Sequence, residues 1–234
     1  AGGFNSFSND ASLLFSQRPL TQRYIVLTAP NWSPARGTVL GWIIAVTAVA
    51  GETTSVSIRL PPNAGVTGET GTITRDNLTP GDVFVLVGGE AGDLSGAWVE
   101  ASAPVAVFAG HDCTNVPQSR PACDHLEEQL LPNETWGRDY IVSALRDRGA
   151  TTASPVRIVP RVDGNTLTFD PPEVHAEVTL GAGQVLDLST SRHFVVRGTG
   201  PLLPVQFMSG QGYDRRLAGD PAMVMEVPVE QYRT

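Results

Sequence analysis

The chain has 234 residues, 41% of them hydrophobic and 17% charged, so it can bury a core in one large domain or in two smaller ones. Its net charge is −8, and its 16 basic residues are all arginines that lie scattered, which excludes the basic stripe of a nucleic-acid-binding protein. No apolar run approaches the roughly 20 residues of a membrane-spanning helix. The absence of lysine indicates the codon usage of a GC-rich bacterium and says nothing about function.

Short blocks rich in Val, Ile, Thr and Phe predict strands along the whole chain, because they alternate or run without helical periodicity. The predicted strands lie at 39–49, 53–60, 82–87, 97–108, 156–162, 165–169, 176–180 and 193–196. Only residues 124–131 have a pattern that fits one or two helical turns. Frequent Gly and Pro turns between such strands predict an all-β fold of antiparallel sandwiches.

The second half of the chain repeats short strings of the first half in the same order. The paired strings are Tyr24-Ile25-Val26 with Tyr140-Ile141-Val142, residues 50–53 with 163–166, 81–83 with 183–185, 103–112 with 203–212, and 128–129 with 230–231. We therefore predict two tandem antiparallel β-sandwich units of related topology and the start of a third. The predicted division is a first unit at 1–112, a loop and linker at 113–135, a second unit at 136–218, and a truncated third unit at 219–234.

The only two cysteines form a mirrored pattern with histidines, His111-x-Cys113 and Cys123-x-His125. Nine residues separate the cysteines, so a disulfide would close a small polar loop. On the chain-entropy model such a bridge stabilises the fold by about 2–3 kcal/mol, and it requires an oxidising compartment. We prefer this interpretation, in which the histidines flank the bridge.

Other interpretations stay open. Two His/Cys pairs supply four ligands that suit tetrahedral zinc, although their spacing differs from that of the usual zinc knuckle. A catalytic cysteine is disfavoured, because Asp112 and Asp124 oppose a thiolate and no glycine-rich elbow presents a thiol. For a carbohydrate-binding accessory domain, Trp32 in its proline-rich loop offers an aromatic platform. Asn133 heads an Asn-x-Thr triplet, and we expect it to be idle as a glycosylation site.

The segment after the cysteines is expected to join the two units. Glu128 and Gln129 are predicted to hold backbone amides there, while Pro132 keeps its own segment extended. Trp136 offers a large apolar body that can cover the seam, with its N–H on a carbonyl. Gly137 would let the chain turn sharply into the strand of Tyr140.

The string VFAGHDC…CDHLEEQLLPNETWGRDYIV, residues 107–142, resembles the signature of the IgGFc-binding domain family. The family pattern has a strand ending Val-Phe-Ser-Gly, then two cysteines, Cys-x-His, Glu-Gln-Leu-x-Pro, Trp-Gly and Tyr-Val-Val. The residues in these places are Val107, Phe108, Gly110, Cys113, Cys123, His125, Glu128, Gln129, Pro132, Trp136, Gly137, Tyr140 and Val142.

This resemblance implies a non-catalytic binding or adhesion module, secreted or held at the cell surface, with no cofactor and no metal. The implied partner is an extracellular protein or glycan, and the chain is expected to belong to a longer multi-unit protein. Fc binding itself carries over poorly, because no Fc-contacting residue can be identified in the chain. Self-cleavage at a Gly-Asp-Pro-His site is not expected either, because Ala222 stands where that site has histidine.

Overall fold

A computed structural model describes residues 11–29, 41–51, 53–66, 71–88, 92–119, 123–145, 153–210 and 219–232. These residues form strands and two single 3-10 turns, at Asn133–Thr135 and Val229–Gln231, so the predicted all-β class is confirmed. The strands are β1 Arg23–Ile25, β2 Trp42–Ala48, β3 Thr54–Arg59, β4 Thr72–Leu78, β5 Val83–Val87, β6 Trp98–Ala101, β7 Val105–Thr114, β8 Asp124–Gln129, β9 Asp139–Val142, β10 Ser154–Pro160, β11 Asn165–Asp170, β12 Val178–Leu180, β13 Leu186–Thr190, β14 Phe194–Gly198, β15 Leu202–Met208 and β16 Ala222–Met225. Within the described ranges, no helix is long and apolar enough to cross a membrane.

The strands form four small antiparallel sheets. Their strand orders are β1-β6-β3-β4, β5-β2-β7-β8, β9-β14-β11-β12 and β13-β10-β15-β16. The last two orders equal the first two with every strand number raised by eight. We call the sheets of β1 to β8 the first sheet pair and those of β9 to β16 the second sheet pair.

Each sheet pair has its own core, because alternating residues give each strand one apolar face. In β2 the buried residues fall at every second position from Trp42 to Ala48. The buried residues of the first core all lie between Tyr24 and Leu130, and those of the second core lie between Tyr140 and Leu202.

A third apolar cluster, which we call the seam, joins the two sheet pairs. Its buried residues are Ile25, Leu27, Ala29, Val116, Leu126, Trp136, Val159, Leu203, Val205, Phe207 and Met223. In β15, Leu202 belongs to the second core whereas Leu203 belongs to the seam. This strand is therefore covered on both faces, which explains its nearly continuous apolar run.

The recurrence of strand order extends to single hydrogen bonds. Val105 N donates to Thr21 O in the first sheet pair, and Leu202 N donates to Gly137 O in the second. In the same way, Leu130 N donates to Val107 O, and Glu226 N donates to Pro204 O. Val105 therefore corresponds to Leu202 in the structure, whereas the sequence alignment of 103–112 with 203–212 matches Val105 to Val205. The alignment is displaced by three residues, and an odd displacement exchanges the two faces of a strand.

Two further stretches differ from their predicted places. Residues 124–131 were expected to form helical turns, but Asp124–Gln129 is strand β8 because it pairs with β7. The predicted linker 113–135 thus contributes a strand to the first sheet pair. Residues 219–234 were assigned to a third unit, yet β16 pairs with β15 and completes the second sheet pair. In the structural register Glu230 corresponds to Glu134, whereas the sequence comparison matched Glu230 to Glu128, six residues earlier.

Candidate functional site

The two cysteines close the hairpin of β7 and β8. Cys113 Sγ is bonded to Cys123 Sγ, as the preferred interpretation predicted. Cys113 lies where the β7–β8 register shifts between His111 and Thr114. Such an irregularity changes the direction of the neighbouring side chains, and here it lies at the disulfide-bonded Cys113. The bond therefore fixes the base of the loop that leads from Thr114 to Cys123.

The two histidines have different surroundings. His111 is fully buried, and its Nδ1 accepts a hydrogen bond from Cys113 N at 3.1 Å. Burial, with a smaller contribution from His125, lowers the pKa of His111 to about 4, so this ring is neutral at physiological pH. His125 is half-buried on the outer side of β8, and its Nε2 lies 3.6 Å from Glu127 Oε2. The histidines thus belong to the structure of the hairpin.

Glu128 and Gln129, the polar pair after the bridge, have different surroundings. Gln129 is buried, and its Oε1 accepts a hydrogen bond from Phe15 N at 2.7 Å, which ties down the N-terminal segment. Glu128 is half-buried on β8 opposite Ala109. Pro132 is buried and begins the first 3-10 turn, where its carbonyl accepts from Thr135 N.

Trp136, Gly137 and Tyr140 lead from the first sheet pair into the second. Trp136 is 5% exposed in the seam, and its Nε1 donates to Leu131 O at 3.2 Å. Tyr140 is fully buried, its Oη accepts from Gly137 N, and burial raises the pKa of its phenol. A side chain on Gly137 would overlap Pro228 and the Glu230 carboxylate. Glycine is thus required there by close packing rather than by the sharp turn that the sequence suggested.

A buried ionic cluster crosses the seam, and sequence reasoning missed it. Arg157 of β10 is 3% exposed. Its guanidinium binds Asp187 of β13 and, from the first sheet pair, Asp93, Ser95 Oγ at 2.8 Å and Thr28 O at 2.6 Å. Burial alone would lower the pKa of Arg157, but the hydrogen bonds and charges of Asp93 and Asp187 raise it. The only available signal was the pair of arginines, Arg157 and Arg161, inside the apolar string of residues 156–162.

Asn133 makes a second polar connection across the seam. Its side chain is buried, and its Oδ1 accepts a hydrogen bond from Ile25 N at 2.8 Å. Its carbonyl accepts from Arg161 of the second sheet pair at 2.5 Å. The same side chain heads the Asn-x-Thr triplet, and its burial leaves the amide unavailable to a glycosyltransferase.

A hollow of about 380 Å³ opens beside these connections, between the disulfide-closed loop and the second sheet pair. We call it the seam hollow. Its lining residues are Ala29, Asn115, Val116, Pro117, Gln118, Ser119, Pro155, Arg157, Asp187 and Phe207. Asn115 is 6% exposed, and its Oδ1 has no hydrogen-bond partner among the described residues. A buried acceptor without a partner is costly and marks a place where a donor can bind.

The electrostatics of the seam hollow favour a donor or cation. The five N–H groups of Arg157 are all directed at acceptors of the protein, so this cation has no free donor for a ligand. Two carboxylates surround one guanidinium, and Asp187 is 63% exposed at the rim. The walls of Val116, Pro117 and Phe207 suit the apolar part of a ligand.

The geometry fits neither a zinc site nor a catalytic thiol at the two cysteines. Both sulfurs are consumed by the disulfide, so they are available neither as zinc ligands nor as nucleophiles. The described residues contain no cluster of three or more His, Cys, Asp or Glu that could hold a metal ion. Trp32, the suggested aromatic platform, lies outside the described residues.

Comparison with known proteins identifies the family of the chain. The family model described as IgGFc binding protein matches residues 10–234. The chain belongs to the IgGFc-binding protein family. The predicted resemblance is therefore confirmed, and the match extends over nearly the whole chain.

One curated relative of the family is the human (Homo sapiens) IgGFc-binding protein, which is 31% identical over 226 residues. The match covers 95% of this chain but only 4% of the relative. The chain thus spans only a small part of this relative's length. No solved structure matches the chain.

Proposed function

We propose that this IgGFc-binding-family chain is a non-catalytic, extracellular binding module whose partner is a protein. The single observation that carries the proposal is the seam hollow, where a disulfide-closed loop holds a buried, unpartnered acceptor beside apolar walls. The relative's name specifies a protein partner for that protein. A disulfide between the only two cysteines supports an oxidising, extracellular compartment.

The module is built, in this proposal, from two β-sandwich units in tandem. The identical strand orders of the two sheet pairs and their separate cores support this division. The seam and the Arg157 cluster hold the units in one relative orientation, so the hollow between them is preformed. A preformed site loses less conformational entropy on binding than a mobile one does.

The chemistry of the hollow selects the part of the partner that enters it. Asn115 Oδ1 and the rim carboxylate of Asp187 both accept hydrogen bonds, while Val116 and Phe207 contact apolar atoms. An arginine, lysine or tryptophan side chain combines an apolar body with a terminal donor. We therefore expect a partner that projects such a side chain from its surface.

A binding measurement with immobilised human IgG Fc and a glycan array tests the proposal. We expect saturable binding to the protein probe and at least a tenfold weaker affinity for Asn115→Leu, because the substitution removes the acceptor but keeps the volume. Asn63→Leu, on an exposed turn outside the hollow, is the matched control and should bind normally. Binding to glycans alone would favour the carbohydrate-binding alternative, and equal loss in both variants would exclude the hollow as the site.

A further inference from the structure

The seam has exposed counterparts elsewhere on the molecule. The register correspondence that matches Val105 with Leu202 extends along the paired strands and to the two 3-10 turns, which begin after Pro132 and Pro228. In the first sheet pair, the seam is built from Ile25, Leu131 and Trp136, among others. Their counterparts in the second sheet pair are Ile141, Val227 and Tyr232, which are 44%, 48% and 48% exposed. We call these three residues the distal patch.

The opposite half of the seam has an exposed counterpart too. In the second sheet pair that half is the outer face of β10, β13 and β15, with Val159, Val205 and Phe207. The same face of the first sheet pair is formed by β2, β5 and β7. We call it the proximal face, and its exposed or half-buried apolar residues are Ile43, Ala45, Val83, Val85, Val87 and Phe108. Val83, Val85 and Val87 are each 51–52% exposed, which is unusual for three consecutive outward positions of one strand.

We propose that the proximal face of one copy of this chain docks on the distal patch of a second copy, head to tail, in the geometry that the internal seam already shows. The inference rests on the two-unit division proposed above. The continuity with an established interface carries it, since each exposed surface corresponds to the opposite half of the seam. Apolar area buried in such a contact supplies the driving force.

The buried cation of the seam has no counterpart on the proximal face. In the seam, Arg157 of one half is held by Asp93 of the other. The counterpart of Arg157 on the proximal face is Ala45. Docking would therefore not bury an unpaired guanidinium at this position. The proximal face does carry Glu127, whose Oε2 lies 3.6 Å from His125 Nε2 beside the hollow of this face.

The shapes also complement each other. Phe207, which fills the seam, corresponds to Gly110, where a side chain would overlap the Leu126 carbonyl. A hollow of about 250 Å³ remains there on the proximal face, lined by Ile43, Ala45 and Phe108, among others. Tyr232 of the distal patch supplies an aromatic ring in the position that Trp136 occupies in the seam.

The contact does not close on itself, because its two surfaces differ and lie on different sheet pairs. A heterologous contact of this kind builds open chains of copies instead of a symmetric dimer. Inside the chain the linker holds the two halves of the seam at an effective concentration in the millimolar range. Separate copies lack this linker, so we expect them to associate only at high protein concentration.

Sedimentation velocity of the full chain over a range of concentrations tests the proposal. The wild type should associate beyond dimers, whereas Val85→Glu, on the proximal face, and Ile141→Glu, on the distal patch, should each stay monomeric. Both substitutions are at exposed positions, and circular dichroism checks that the variants are folded. Val224→Glu is the matched control, because Val224 is 45% exposed but corresponds to Glu128, which lies outside the seam. It should associate like the wild type.

Mixing the two monomeric variants gives the decisive result. Each retains one intact surface, so an equimolar mixture should form a one-to-one dimer and no larger species. A wild type that stays monomeric at 1 mM, variants that still associate alone, or a mixture that remains monomeric would each overturn the proposal. None of these substitutions touches the seam hollow, so partner binding through Asn115 can succeed or fail independently.

Discussion

The buried ion pair across the seam should contribute far more to stability than its exposed neighbour. Asp93 and Asp187 bind the same guanidinium, but the Asp93 side chain is 16% exposed and that of Asp187 is 63% exposed. Removing one member of a buried pair leaves an uncompensated buried charge and costs about 3–5 kcal/mol, whereas an exposed pair contributes below about 1 kcal/mol. We therefore expect Asp93→Asn to lower the free energy of unfolding by about 3 kcal/mol, and Asp187→Asn by less than about 1 kcal/mol.

Urea unfolding followed by tryptophan fluorescence measures both values, because Trp136 lies in the seam and Trp42 in the first core. The double variant Asp93→Asn, Arg157→Met should be more stable than Asp93→Asn alone, since no unpaired charge is then buried. Equal losses in the two single variants, or a loss below about 1 kcal/mol for Asp93→Asn, would show that burial does not control this cluster.

Three other outcomes follow from the described contacts. Replacing Cys113 and Cys123 together by serine should lower the free energy of unfolding by about 2–3 kcal/mol. It should also weaken partner binding, because the loop that lines the seam hollow is then no longer closed by a covalent bond. Unchanged binding would show that the loop conformation does not need the bond. Burial lowers the pKa of His111 to about 4 and raises that of Glu226 to about 7, so acidification from pH 6.5 towards 4 removes stability through His111, while a rise in pH from 4.5 to 7 removes stability through Glu226. Glu226→Gln should therefore be more stable than the wild type at pH 8 but not at pH 4. For His111→Gln, the stability relative to the wild type should be higher at pH 4 than at pH 8. Urea titrations at both pH values check these signs. Gly137→Ala should be destabilised by overlap with Pro228 and Glu230, whereas Gly164→Ala meets no neighbouring atoms within 4 Å and is strained only by its positive φ; equal melting temperatures for the Gly137→Ala variant and the wild type would contradict the packing argument.

The family, the all-β class and the candidate bridge were accessible from the sequence, because each depends on local strings or on composition. Alternating Val, Ile and Thr fit a pleated strand wherever that strand is placed, and two cysteines with nine residues between them have few uses. The expected helical turns at 124–131 failed because pairing with β7 overrides the weak propensity of a short polar segment.

Only the tertiary structure decided which face of each strand meets which partner. The repeat was read three residues out of register along β15, and an odd slip exchanges core and seam positions, which letters alone do not reveal. Arg157 and Thr28 lie 129 residues apart in the chain, yet they share a buried hydrogen bond. The seam hollow and the exposed counterparts of the seam exist only because the two sheet pairs are packed against each other, and packing between distant segments leaves no local pattern in a sequence.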